Sequence, residues 1–240
     1  MAGTLADMKA RVADELSRSD LTSQIALAIN DAITHYQRKR FYFNETGPNG
    51  YTFLTVPNQE TYAARNPMIS QNADGLVLDG ESGYLMLELT GSEYEYPIPV
   101  FYDVDDVFVT VGVNNFRVKR IDPTIYRINQ MPNFKGQPYN YMYSNQTFSF
   151  SPIPNAVYPM QVVGHLQLDA PLDDTETNNP WMIDAERLIR NCAKRILCQE
   201  VIMDADSTAA YLAAENEALD SLAATTDNMI RTGYIQPVDF

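Results

Sequence analysis

The apolar period of this chain changes twice, and that order limits the architectures open to it. Leu5, Met8, Val12 and Leu16 recur at helical spacing. A second helical stripe follows in Ile25, Ala28, Ile29, Ala32, Ile33 and Tyr36, with Asn30, Asp31 and Gln37 opposite. From Tyr51 to Ala170 the period is two, and beyond Trp181 it is helical again. A period of two lays apolar side chains on one face of a strand, so that stretch belongs to a sheet. The expected fold is α+β: N-terminal and C-terminal helices form a helical bundle, and a large antiparallel β region is inserted between them. The expected boundaries are 1–45 and 172–232 for the bundle, 46–171 for the β domain and 233–240 for a C-terminal tail.

Local signals sharpen these elements. Thr4 with Asp7 spells a capping box. Asp20 or Thr22 is placed to cap the second helix, which ends in Arg38-Lys39-Arg40, where cations meet the negative end of the dipole. Phe41-Tyr42-Phe43 then leads to Asn44 and the turn-rich Thr46-Gly47-Pro48-Asn49-Gly50. In the β region Leu85, Leu87 and Leu89 alternate with Met86 and Glu88. Val107, Val109, Val111 and Val113 share a face, and Asn114-Asn115 is the expected turn before Phe116 and Val118. Phe148 and Phe150 point one way, with Thr147, Ser149 and Ser151 the other. Met160, Val162, Leu166 and Leu168 alternate with Gln161, His165 and Gln167, which places His165 on a wet face. Such alternation describes largely antiparallel strands buried on one side. Pro97, Pro99, Pro123, Pro132, Pro138, Pro152, Pro154 and Pro159 lack a ladder donor and are expected at strand ends and edges. Trp181 opens a helix with Ala185, Leu188, Cys192 and Ile196 as its stripe. Asp206 or Ser207 is the expected cap of a last helix lined by Tyr211, Ala214, Ala218, Leu222 and Met229, with Gly233 as its stop.

At 240 residues the chain fits one large domain or two small ones, at roughly 150 residues per domain. Its 31 acids against 17 bases give a net charge of −14. Such a surface does not collect phosphates, so avid nucleic-acid binding by the whole surface is not expected. It suits solubility, or a passage through which DNA slides without sticking. Cys192 and Cys198 lie six apart in a helix and point to different sides, so they form neither an intrahelical disulfide nor a metal pair. Buried reduced thiols are expected. Met1 to Leu16 is amphipathic and mixed in charge, unlike a signal peptide. No run approaches the roughly 20 apolar residues of a membrane span. A soluble protein made in the cytoplasm, without a membrane partner, is expected.

Catalytic chemistry finds little support. His35 and His165 have no motif around them. No nucleophile elbow, phosphate loop, dinucleotide fingerprint or zincin helix occurs. Asp204, Asp206 and Ser207 with Glu215 imitate a calcium loop, but Ala209 stands where that loop needs glycine. Asp103, Asp105 and Asp106 could hold a divalent ion or act as paired acids, with Asp103 and Asp105 on one strand face and Asp106 on the other, though a solvated strand entry is favoured. Asp173, Asp174 and Glu176 form a loop cluster. Arg38-Lys39-Arg40 and Arg117-Lys119-Arg120 are the only basic clusters, too small for a nucleic-acid footprint. Asn44-Glu45-Thr46 and Asn145-Gln146-Thr147 match glycosylation acceptors but lack a secretion signal. No cofactor and no metal site are expected.

Several segments together resemble one family. They are Arg11-Val12-Ala13-Asp14-Glu15-Leu16; Ile29-Asn30-Asp31-Ala32-Ile33 running to Tyr36-Gln37-Arg38-Lys39-Arg40-Phe41-Tyr42-Phe43; and Phe53-Leu54-Thr55-Val56-Pro57-Asn58-Gln59-Glu60-Thr61-Tyr62. Next come Asp105-Asp106-Val107-Phe108-Val109-Thr110-Val111, and then Tyr143, Phe148-Ser149-Phe150-Ser151-Pro152-Ile153-Pro154, Tyr158, Leu168, Pro171-Leu172 and Asn179-Pro180-Trp181-Met182. In pattern and order the chain resembles the head–tail adaptors, or portal-docking connectors, of tailed bacteriophages, especially the tail accessory factors of short-tailed phages. Residues 64–99 match no pattern of that family.

The resemblance implies a structural virion protein without enzyme activity. It implies a ring, probably a dodecamer, beneath the portal that extends the DNA channel and offers a platform for tail, nozzle or fibre proteins. DNA would pass without specific binding. The helical segments and the apolar tail would face the portal, which makes Tyr234, Ile235, Val238 and Phe240, with Arg38, Lys39 and Arg40, the expected docking residues. Two other readings stand beside it. One is another virion part, such as a stopper, tail-tube or glycan-binding module, since aromatic faces stack on sugars. The other is an acid-pair hydrolase using Asp103 or Asp105.

Overall fold

The computed structural model describes residues 3–46, 50–64, 76–78, 85–89, 93–95, 98–129 and 134–230. The chain divides into a helical unit, Met1–Asn44 with Asp169–Phe240, and a β unit, Glu45–Leu168. Each has its own core.

In the helical unit, α1 (Leu5–Glu15) starts on the capping box: the Thr4 hydroxyl accepts from the Asp7 amide at 3.1 Å and the Asp7 carboxylate accepts from the Thr4 amide at 3.3 Å. Helix α2 (Thr22–Tyr36) buries the whole expected stripe from Ile25 to Tyr36. Its cap differs from expectation. Leu21 occupies the N-cap without a side-chain bond, because Arg18 grips both oxygens of Asp20 at 2.8 Å.

The helix expected from Trp181 is broken into α4 (Pro180–Ile183) and α5 (Glu186–Leu197). Asn179 Oδ1 accepts from the Trp181 amide at 3.1 Å, and Pro180 suits the first turn because its missing N–H would be unpaired there. Ala185 then leaves helical geometry, at φ −106° and ψ 11°, so the turn cannot propagate. A π-helical turn, Cys198–Ile202, follows α5 and ends on Met203 at φ 59°. That left-handed residue reverses the chain and leaves Asp204 ahead of α6 (Ala205–Ile230). Asp204, and neither Asp206 nor Ser207, therefore caps α6; its Oδ1 accepts from both of their amides at 3.1 and 3.2 Å. Along α6 the buried seam is Glu215, Ala218, Leu222 and Thr226. Met229, expected on that seam, is exposed, since this 26-residue helix outruns the 12-residue α5 it packs on.

The seam between α5 and its neighbours is partly ionic. Glu15 of α1 accepts from Arg190 at 2.6 Å and Lys194 at 2.5 Å, and the Lys194 ammonium sits 4.4 Å from the Tyr211 ring centre. Arg11 reaches Glu186 at 3.1 Å. Phe41 and Phe43 stack at 5.4 Å, and both meet the fully buried Trp181 edge-on.

In the β unit, seven strands form one curled sheet. They are β1 (Tyr51–Leu54), β2 (Thr61–Ala63), β6 (Phe101–Val111), β7 (Asn114–Arg120), β9 (Asn140–Ser144), β10 (Thr147–Ser151) and β12 (Pro159–Leu166), in the order β1-β12-β6-β7-β9-β10-β2. Every pair is antiparallel except β7–β9. Phe53 of β1 lies 5.7 Å from Tyr62 of β2 and about as far from Phe148 and Phe150, so the two edge strands share one aromatic core. Two further ladders stand apart: β3 (Leu76–Leu78), β4 (Leu85–Leu89) and β5 (Glu93–Glu95) form an antiparallel three-stranded sheet, and β8 (Lys135–Gly136) pairs in parallel with β11 (Ile153–Pro154). A parallel bridge between Ala64 and Ile98 closes the excursion that carries β3–β5.

Four expectations change here. The β6–β7 turn is Gly112-Val113, one step earlier than Asn114-Asn115, because Gly112 adopts φ +62° and Val111 pairs with Asn114. Val113 is therefore 96% exposed at the tip, off the buried valine face. A helix, α3 (Pro123–Asn129), interrupts the β region. Asp122 accepts from the Thr124 amide at 2.8 Å, so Pro123 starts a helix where a strand end was expected. His165 is 3% exposed and not solvated, since register shifts at Gly164 and Leu166 break the alternation and Glu45–Thr46 pairs along the outer side of the strand. Ser149 is buried as well.

Candidate interaction surfaces

Among the described residues no group of three or more metal-ligating side chains occurs. His35 is exposed on α2, beside Asp31, Thr34 and Arg38 in a shallow depression. Asp204, Asp206 and Ser207 are a helix start, as their mutual hydrogen bonds show. Asn44 is wholly buried and its amide is consumed internally: Oδ1 accepts from the Phe41 amide at 2.7 Å and Nδ2 donates to the Lys39 carbonyl at 2.8 Å. Cys192 and Cys198 are buried free thiols.

The acidic and basic trios of the β unit are one cluster. Bulges in β6 bring Val104 and Val107 to the core and turn Asp103, Asp105 and Asp106 outward together, in place of the expected split between faces. Arg117 pairs with Asp106, and Arg120 reaches Asp103 at 3.7 Å. Asp105, Asp106, Arg117, Lys119, Arg120 and Tyr141 line one open cleft of about 360 Å³. Carboxylates that already face arginines make a charge-balanced surface.

The acidic connector is also built in. Asp174 binds Lys9 at 2.5 Å, Asp173 accepts from the Thr175 amide at 2.7 Å, and Glu176 accepts from the Leu172 amide at 2.7 Å and Asn179 Nδ2 at 3.2 Å. Local hydrogen bonds hold the Asp173 carboxyl below its ordinary value, those from Thr175 foremost.

Two displayed surfaces remain. In the helical unit Arg38, Lys39 and Arg40 are exposed just past α2. The Lys39 ammonium lies 5.3 Å from the Tyr36 ring centre, and the Asn44 amide bonds with the Phe41–Trp181 contact fix the turn that carries them. Tyr234, Ile235, Val238 and Phe240, the other expected docking residues, lie outside the described residues, as does Gly233.

In the β unit, one end of the sheet gathers exposed apolar side chains. Here β1 and β10 finish and β12 begins. Asn58 N donates to Pro154 O at 2.7 Å, Lys135 Nζ donates to Asn58 Oδ1 at 2.5 Å, and Tyr126 OH reaches Glu60 at 2.8 Å and Phe150 O at 3.0 Å. These bonds tie α3 and three loops together, and Val56, Ile125, Ile128, Phe134, Tyr139 and Val157 project from them exposed. Large apolar groups concentrated on one rim mark a protein-contact surface. Sequence alternation could not reveal it, because all six lie in connections between strands.

A family model described as SU10 adaptor protein matches residues 3–237. No curated protein matches the chain.

Proposed function

The chain belongs to the SU10 adaptor protein family, a phage head–tail adaptor family, and from that premise we propose that it forms a ring under the portal of a tailed phage. The ring, about twelve copies by resemblance, extends the DNA channel and offers the tail a platform. The observation that carries this proposal is the family match across nearly the whole chain. Three features support it. Its candidate acids are paired or capping, which fits a structural part. The cations of Arg38-Lys39-Arg40 are exposed on a turn braced by Asn44 and Trp181. The apolar rim of the β unit is a second, uncharged contact surface.

In this proposal the helical unit and the tail Tyr234–Phe240 engage the portal, and the β unit receives tail proteins. The net charge of −14 keeps passing DNA from adhering, because like charges repel along the channel wall. Imaging the purified chain mixed with its phage's portal protein tests it. A ring seated on the portal is expected; no complex at any ratio overturns it.

A further inference from the structure

The β6–β7 hairpin runs on past its neighbours. Strand β12 pairs with β6 no further than Val109, opposite Met160, and β9 pairs with β7 only at Lys119 and Arg120. Thr110 to Phe116 therefore reach beyond the flanking ladders, with Val113 exposed at the tip and Phe116 half-exposed behind it. Val107 through Phe116 include no charged residue. The overhang lies at the end of the sheet that carries the apolar rim. Leu54, the last residue of β1, pairs with Pro159, the first of β12, and Met160 beside it pairs with Val109 near the tip. The rim is charge-balanced: residues 55–60, 121–139 and 152–158 hold the acids Glu60 and Asp122 against the bases Arg127 and Lys135.

We propose that the hairpin tip of one copy seats on the apolar rim of a second copy of the chain. Three observations select that occupant. First, the chain covers neither surface itself: Val113 is 96% exposed while Ile128 of the rim is 77% exposed. Second, each copy carries a net charge of −14, so copies repel wherever their acids face each other. Tip and rim offer a contact that sets no uncompensated carboxylate against another. Third, the two patches differ in shape. The tip is the narrow Gly112-Val113 turn of a two-stranded ribbon, and the rim spans α3 and three loops. A ring of identical copies joins a patch on each copy to a different patch on the next. Because both stand at one end of the sheet, rotation about an axis along the strands brings them to one level. Hydrogen bonds of Asn58, Lys135 and Tyr126 already hold the rim together, so seating the tip orders few further groups. This inference rests on the assembly of several copies proposed above and names one contact between them.

Photo-crosslinking tests it. Val113→p-benzoylphenylalanine places a photoreactive ketone on the tip, where the added bulk meets solvent. Full-length chain carrying it is mixed with heavy-isotope natural chain, irradiated and analysed by mass spectrometry, free at high concentration and seated on the portal. A link from the tip to residues 123–139 or 152–158 of the heavy chain is expected. Val113→Asp and Ile128→Asp, both at exposed positions, each weaken self-association roughly tenfold with the unfolding midpoint nearly unchanged. Val113→Lys combined with Ile128→Asp restores it. Links confined to the tip's own chain, to the portal or to no protein under both conditions overturn the contact. Self-association that Val113→Asp leaves unaltered does the same. A portal-seated ring without the link sinks this contact and leaves the adaptor function standing. The link without portal binding does the reverse.

Discussion

The Tyr36 hydroxyl donates a 2.6 Å hydrogen bond to Glu215 Oε1 and so joins α2 to α6 across 179 positions. Arg195 of α5 completes the site, with Nε donating to Oε2 at 2.5 Å and Nη2 lying 3.5 Å from Cys192 Sγ. Three helices thus meet on one carboxylate that is 3% exposed. Burial opposes its ionisation, but the bonds from Arg195 and Tyr36 outweigh burial and hold Glu215 below its ordinary value. Burial first, then the Glu215 bond, pushes Tyr36 well above the usual phenol.

Removing the carboxylate should cost more than removing one partner. Glu215→Ala leaves Arg195 charged and half-sequestered, and a loss of about 3 kcal/mol is expected. Tyr36→Phe loses one hydrogen bond to a charged acceptor, about 1.5 kcal/mol. Urea unfolding at neutral pH measures both. Equal, negligible effects would mean that the three groups contribute no more than solvated side chains.

The same carboxylate sets a pH dependence. A depressed folded value means its contribution is full above the ordinary 4.5 and is lost as pH falls through the folded value. Glu215→Gln removes that titration. The stability gap between the natural chain and this variant should therefore narrow as pH drops from 6 towards the acid range. One titrating carboxylate changes stability by at most about 1.4 kcal/mol for each step of one in pH. A constant gap from pH 6 downward would show that Glu215 does not ionise differently on folding.

Thiol labelling reports the interior. Burial raises Cys192 to about 12, with Glu215 nearby adding to the effect, and burial raises Cys198 as well. The thiolate is the reactive form. Neither cysteine should react with a disulfide reagent in the native chain, and both should react once urea unfolds it. Rapid native labelling would place one of them on an accessible surface.

Gly164 and Gly112 should fail differently. A Cβ on Gly164 would collide with the Asp103 carbonyl, so Gly164→Ala must push β12 off β6, at about 1–3 kcal/mol. At Gly112 a Cβ meets open space, but φ +62° disfavours any side chain that has one. Gly112→Ala should cost about 1 kcal/mol, and Gly112→Asn less, because asparagine tolerates the left-handed region. Denaturant midpoints separate the cases.

Docking has its own variants. Arg38→Ala, Lys39→Ala and Arg40→Ala together should weaken portal binding and flatten its salt dependence, with the unfolding midpoint nearly unchanged, since all three are exposed. Deleting residues 234–240 should weaken it too. Unaltered affinity in both would remove these residues from the portal contact.

Much was legible in the sequence where the cause is local. The Thr4–Asp7 capping box, the α2 stripe and the Asn179-Pro180-Trp181 helix start each depend on residues within a turn or two, and each stands where expected. The segments from Arg11 to Met182, taken together, also resembled the phage head–tail adaptors, which the match over residues 3–237 bears out. Tertiary structure decided what depends on partners far along the chain. Period alone puts Asp103 and Asp106 on opposite faces. Bulges dictated by pairing with β12 turn both outward to Arg120 and Arg117. Glu215 enters the sequence reading only as the last position of an imitated calcium loop, and the fold sets it between Tyr36 and Arg195 of other helices; His165 reads as wet until Glu45–Thr46 pair along its strand. A side chain's spacing fixes its direction along its own element, but burial and charge are settled by whatever the fold brings against it.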